Sequence, residues 1–152
     1  MAVYLSRNTV FAATAAPLTV LKIITPTSFN IKVHSLGIST DGVTSSAVPL
    51  TLDWGTSDET TAGTSVGSPV TTQISGAAIA HGITLGQNFS AEGTTYTIHE
   101  TVFVPQYMGI FVIQFPLGLE PESPAGLADS FFLRVTATAA VNVRAFIKWS
   151  RA

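Results

Sequence analysis

The sequence predicts an all-β domain: an eight-stranded antiparallel, jelly-roll-like β-sandwich preceded by an extended N-terminal arm. Three observations predict it. Apolar residues recur with a period of two wherever the chain shows a regular pattern, which is the period of a strand with one face in a core. Gly, Pro, Asn and Asp punctuate the chain at the spacing of sandwich turns, with almost no helical repeat between them. At 152 residues the chain is long enough to bury one core.

The elements follow in order. Residues 1–17 read as an Ala- and Thr-rich arm with Tyr4, Leu5, Val10 and Phe11 as apolar anchors, leaving residues 18–152 as a single sandwich domain. Residues 18–25 are β-branched and stop at Pro26. Residues 29–40 begin with Phe29, Ile31 and Val33 on one face, then shift phase to Leu36 and Ile38, the mark of a bulge near Ser35 or Gly37. Thr40-Asp41-Gly42 is turn chemistry. Residues 48–54 alternate again, with Pro49 confining that strand's start to an edge or an end. After a small, polar loop (55–69), residues 70–74 form a short strand and 76–81 at most one helical turn.

Residues 94–104 make a long strand with Tyr96, Ile98, Val102 and Val104 on one face. Residues 109–115 (GIFVIQF) are apolar on both faces, which places them centrally or under a partner. A Pro- and Gly-rich loop (116–129) leads to residues 130–138 and 141–150, which read as a hairpin about Ala139-Ala140. Their inward residues are Phe131, Leu133, Val135 and Ala137, then Val141, Val143, Ala145, Ile147 and Trp149. An immunoglobulin-type sandwich is the alternative, and the two long loops favour the jelly roll.

Composition excludes several functions. Charged residues are 11 % of the chain, against roughly 25 % in an ordinary soluble domain, while apolar residues are 46 %. Most of the polarity is neutral hydroxyl, from 21 Thr and 14 Ser. Seven scattered Lys and Arg at a pI near 5.8 give no footprint for nucleic acid. Without cysteine there is no disulfide, thiolate nucleophile or Cys-ligated zinc. No window approaches the roughly 18 apolar residues of a membrane helix. The opening segment imitates a secretory signal, but Asn8, Thr9 and Thr14 break its apolar core, so no secretory export is expected. So little charge suits a chain whose surface is shared with partners.

Catalytic constellations are nearly absent, and neither an enzyme, a cofactor nor a metal site is expected. His34 and His99 fall on strands and could meet across a sheet, yet no carboxylate pattern accompanies them, and His81 stands apart. Glu100 is in phase with Ile98 and Val102; a bulge or edge position that leaves it in solvent is favoured over a buried general acid. Glu120, Glu122 and Asp129 share a loop, as do Asp58 and Glu59, and neither set has the fixed separation of a glycosidase pair or a calcium motif. Asn88-Phe89-Ser90 is a sequon by composition alone.

The stronger signal is a surface. Opposite the core face of the C-terminal hairpin lie Phe132, Arg134, Arg144, Phe146 and Lys148. Aromatics interleaved with cations mark protein interfaces.

Particular segments carry a family resemblance. TAAPLTVLKIITPTSFNIKVHSLGISTDGVTSSAVPLTLDW, then FPLGLEPESP, then FFLRVTATAAVNVRAFIKW resemble small virion proteins of tailed bacteriophages. The matching features are Ser39-Thr40-Asp41-Gly42, Ala47-Val48-Pro49, residues 116–122 (PLGLEPE) and residues 141–145 (VNVRA), within a likeness spanning roughly residues 15–150. The resemblance implies a capsid decoration (cement) protein on the virion exterior, made in the host cytoplasm. It also implies a homotrimer clamping neighbouring copies of the major capsid protein, with no catalytic residue, nucleic acid or membrane involved. A receptor- or carbohydrate-binding tip domain, using Tyr107 or Trp54 to stack on sugars, is the alternative.

Overall fold

Twelve strands form among the described residues, four more than the periodicity predicts. The computed structural model describes residues 1–41, 48–58, 63–123, 125 and 129–152; Gly42, Ala47 and Glu59, which enter the sequence reading, lie outside them. The strands are β1 (Val3–Arg7), β2 (Phe11–Ala13), β3 (Leu18–Ile24), β4 (Ile31–Thr40), β5 (Leu50–Asp58) and β6 (Val70–Ser75). They continue with β7 (Thr84–Gln87), β8 (Tyr96–Val104), β9 (Ile110–Gln114), β10 (Glu122–Ser123), β11 (Asp129–Thr136) and β12 (Val141–Arg151). All eight expected strands are present within a few residues of their expected ends. The additions are β1, β2, β7 and β10, and residues 76–81 form no helical turn.

Two antiparallel sheets result. The first runs β10-β4-β12-β1-β6, with β2 continuing beside β12 and β9 beside β4. The second runs β7-β3-β11-β5-β8. The chain changes sheet at most connections, the habit of jelly-roll sandwiches. Alternation explains the core: Val141, Val143, Ala145, Ile147 and Trp149 from one sheet are buried with Phe131, Leu133 and Val135 from the other. The bulge expected near Ser35 lies at His34, where the β4–β12 register shifts so that Val33 faces Trp149 and Ser35 faces Lys148.

The N-terminal segment is where the structure departs most from expectation. Residues 1–17 are not an arm separate from a domain of 18–152. β1 is inserted between β12 and β6, and β2 pairs with the start of β12. Tyr4 is therefore a core residue rather than an interface anchor: it stacks on Trp149 at 4.7 Å and its hydroxyl donates to the Ile79 carbonyl. Ser6 accepts from Trp149 Nε1 at 3.0 Å and shares a hydrogen bond with Thr71. Phe11 packs on the same core from its rim, while Val10 stays exposed. The physical reason is edge satisfaction: β12 has eleven residues, and the N-terminal strand supplies partners for one whole side of it.

Asn8 repairs the gap between β1 and β2. Its N–H donates to the Ala145 carbonyl, its Oδ1 accepts the Ala145 N–H at 2.7 Å, and its amide donates to Asn88. The residue is buried. Asn8→Ala strands a buried N–H and is expected to cost about 1–3 kcal/mol, read as a lower urea midpoint at unchanged slope.

Candidate functional site

The expected hairpin surface is divided by the fold. β11 and β12 belong to different sheets, so Phe132 and Arg134 lie on the outer face of the second sheet, and Arg144, Phe146 and Lys148 on the outer face of the first. The alternation within each strand is as predicted; the pairing of the two strands is not.

On the second sheet the outer face is closed. A bulge at Trp54–Gly55 shifts the phase of β8 and turns Tyr96 outward, where its ring meets Phe132 edge-on at 4.8 Å. Phe132 is fully buried there, which removes it from any interface. Arg134 lies over the Tyr96 ring and donates to Asp53 Oδ2 at 2.9 Å through one nitrogen and 3.3 Å through another, while Thr101 donates to the other Asp53 oxygen. Lys22, also buried, stands over the Phe89 and Tyr96 rings. Glu92 ties this cover down by accepting from the Thr19 N–H, the Thr19 hydroxyl and the Tyr96 hydroxyl. Burial, and then the hydrogen bond to Glu92, push the Tyr96 phenol up to about 12. The cluster is structural: each charge is spoken for.

The first sheet is open. Strand register places Leu5 beside Lys148, and Arg7 beside Phe146, on its outer face. Phe146 lies flat over Gly37, where a Cβ would stand 2.7 Å from its ring and 2.5 Å from the Phe111 carbonyl oxygen. Glycine is thus the price of seating Phe146. Leu5, Arg7, Asn8, Ser39, Arg144 and Phe146 line a shallow groove. β9 extends this face with exposed Ile110 and Val112, and β6 with exposed Val70 and Ile74. Arg7, Arg144 and Lys148 have no hydrogen-bond or ion-pair partner among the described residues. The sequence reading missed Arg7, because it placed that residue in an arm.

The remaining candidates separate. His34 bonds to Ser150 and approaches Glu120 at 3.7 Å on the first sheet, whereas His99 packs on Trp54 at the edge of the second, so the two do not meet. No group of three or more metal-ligating side chains occurs among the described residues. Glu100 sits on edge strand β8, exposed, and accepts from Trp54 Nε1 at 3.2 Å. Trp54 is buried between Phe115 and Phe131, which removes it as a sugar platform, while Tyr107 is exposed. Glu122 pairs with Lys32 at 3.0 Å, and that bond and charge hold the Lys32 ammonium above its ordinary value. Asn88 uses its amide on Asn8 and Thr9. No helix among the described residues is long and apolar enough to cross a membrane.

Two expectations follow from this geometry. Gly37→Ala forces a methyl against a main-chain carbonyl and the Phe146 ring, and should cost about 1–3 kcal/mol in thermal or urea unfolding. In the turn at 116–120, the Glu120 carboxyl is held below its usual range by its own N–H, the Gly118 N–H, and the charges of His34 and Lys32. A depressed carboxyl stabilises the turn above its ordinary pKa of about 4.3, and that contribution is lost as pH falls through the lowered value. The amide resonance of Gly118 should therefore shift only as pH falls below the ordinary glutamate range.

No protein-family model and no curated protein matches the chain. Among solved structures it is weakly similar to particles of infectious bursal disease virus. Against the T=1 particle derived from that virus the TM-score is 0.22 at 11 % identity, covering 97 % of this chain and 39 % of the other. Against the VP2 subviral particle the TM-score is 0.23 at 10 % identity, covering 99 % and 41 %. The chain thus spans about two fifths of those proteins, and TM-scores this low carry no argument about fold or role.

Proposed function

We propose that this chain is a structural virion protein, not an enzyme, which binds the outside of a phage capsid as a homo-oligomer and stabilises contacts between major capsid subunits. The observation that carries the reading is the outer face of the first sheet, where an apolar centre at Leu5 and Phe146 is flanked by Arg7, Arg144 and Lys148 without partners among the described residues. Cations on an apolar face that lack internal carboxylates fit a partner surface that supplies them. The sequence resemblance to decoration proteins supports the major capsid protein as that partner and a trimer as the assembly.

The charge distribution gives the docking a direction. The chain has seven basic and nine acidic residues. Three of the cations, Arg7, Arg144 and Lys148, are gathered on one face, with Asp41 and Glu120 at its margins. Acidic groups on a capsid lattice would be drawn to the three cations at the centre of this face. Each apolar contact contributes roughly 25 cal/mol per Å² before association entropy is subtracted, and repetition over symmetric capsid sites adds avidity.

The test is cosedimentation with purified phage heads lacking the chain. Arg144→Glu combined with Lys148→Glu should weaken binding at least tenfold, about 1.4 kcal/mol, with far-UV circular dichroism unchanged, and wild-type binding should weaken as salt is raised. Wild-type-like binding by the double variant would overturn the proposal.

A further inference from the structure

We propose that a second copy of this chain covers the β8–β9 side of the sandwich. The surface is built by residues 101–119, which contain no Asp, Glu, Lys, Arg or His. They fold as the end of β8, a 3-10 turn at Gln106–Met108, β9, and a tight turn at 116–119. Exposure concentrates there: Phe103 is 69 % exposed, Tyr107 68 %, Ile110 58 %, Leu117 95 % and Leu119 73 %. Register turns Ile110 and Val112 out from the first sheet and Phe103, opposite Thr51, out from the second, with exposed Tyr107 and Met108 on the 3-10 turn that joins them, so apolar side chains flank this edge of the sandwich on both faces.

The main chain points the same way. Among the described residues β9 pairs on one side only, with β4. The Thr40 N–H donates to the Gly109 carbonyl and the Phe115 N–H to the His34 carbonyl. Antiparallel alternation then directs the main-chain groups of Ile110, Val112 and Gln114 away from β4, along the open edge. Natural edge strands carry charges, prolines or bulges that block pairing. β9 has none of the three. An uncharged edge strand has no feature that selects a charged heterologous partner, and a second copy brings an equally uncharged strand.

The turn supplies a pre-set anchor. Leu119 N–H donates to the Pro116 carbonyl at 3.0 Å, Gly118 adopts φ 86°, and its N–H donates to Glu120 Oε2 at 2.6 Å. Leu117 is therefore held outward before any partner arrives, and little ordering entropy opposes its insertion.

This assigns the self-contact surface of the oligomer in the reading above and rests on that reading for the existence of an oligomer. The experiment is sedimentation velocity of the full chain over a concentration series, comparing wild type, Val112→Lys, Leu117→Asp and Arg144→Glu. Wild type and Arg144→Glu should sediment as multiples of 15.9 kDa, while Val112→Lys and Leu117→Asp should need at least tenfold higher concentration to associate. Leu117 is almost fully exposed, so its substitution tests the contact even if Val112→Lys perturbs the strand. A wild type that stays monomeric at its highest soluble concentration, or variants that keep the wild-type mass, would overturn the assignment. Head binding separates the two ideas: if Arg144→Glu abolishes it while the edge variants keep their mass, only this inference fails; the reverse pattern removes only the capsid face.

Discussion

The longest strand, β12, has both main-chain sides occupied, and that double satisfaction positions most of the molecule. β4 takes one side over nine residues, with one slip at His34. The other side is taken by two short strands from the extreme N-terminus, joined through the buried amide of Asn8. A buried N–H or C=O without a partner costs enough that a central strand must find neighbours along its whole length. Here the chain's first thirteen residues serve the strand near its end, so the fold closes only when both termini are together. Its contacts are accordingly long-range, an arrangement associated with slow folding.

Much of this was legible, and the misses have physical causes. Period two located eight strands and the inward residues of β11 and β12, because each strand has one face in the core and the alternation is local. Whether two consecutive strands pair or cross to opposite sheets is not local. Ala139-Ala140 suits a hairpin and a crossover equally, so Phe132 and Arg134 were grouped with Phe146 when they belong to the opposite face. β1 was taken for an arm because VYLSR mixes two apolar residues facing outward with Tyr4 and Ser6 facing inward. A buried Ser bonded to Trp149 carries no hydrophobic signal. β7 and β10 are four and two residues long, too short for any period.

The two outer faces make a useful contrast. Both carry aromatic rings and cations, yet one is finished and the other is not. On the second sheet the segment 88–96 folds back, and its own Phe89, Glu92 and Tyr96 satisfy Lys22, Phe132 and Thr19. On the first sheet no described segment does the same for Arg7, Arg144 and Lys148. The chain can evidently build such a cover, and it builds only one. Composition alone registered this as a shortage of charge; the structure locates the shortage along β9 and the turn after it.

The burial of Lys22 has a practical consequence. The chain holds three lysines. One is enclosed by rings, and Lys32 is engaged by Glu122, which leaves Lys148 as the lysine with an unencumbered amine among the described residues. Amine-directed labelling under native conditions should therefore favour this side chain, at the centre of the open sheet, over the other two lysines. A fluorophore or cross-linker attached there would report directly on what approaches that surface, with no engineered cysteine required.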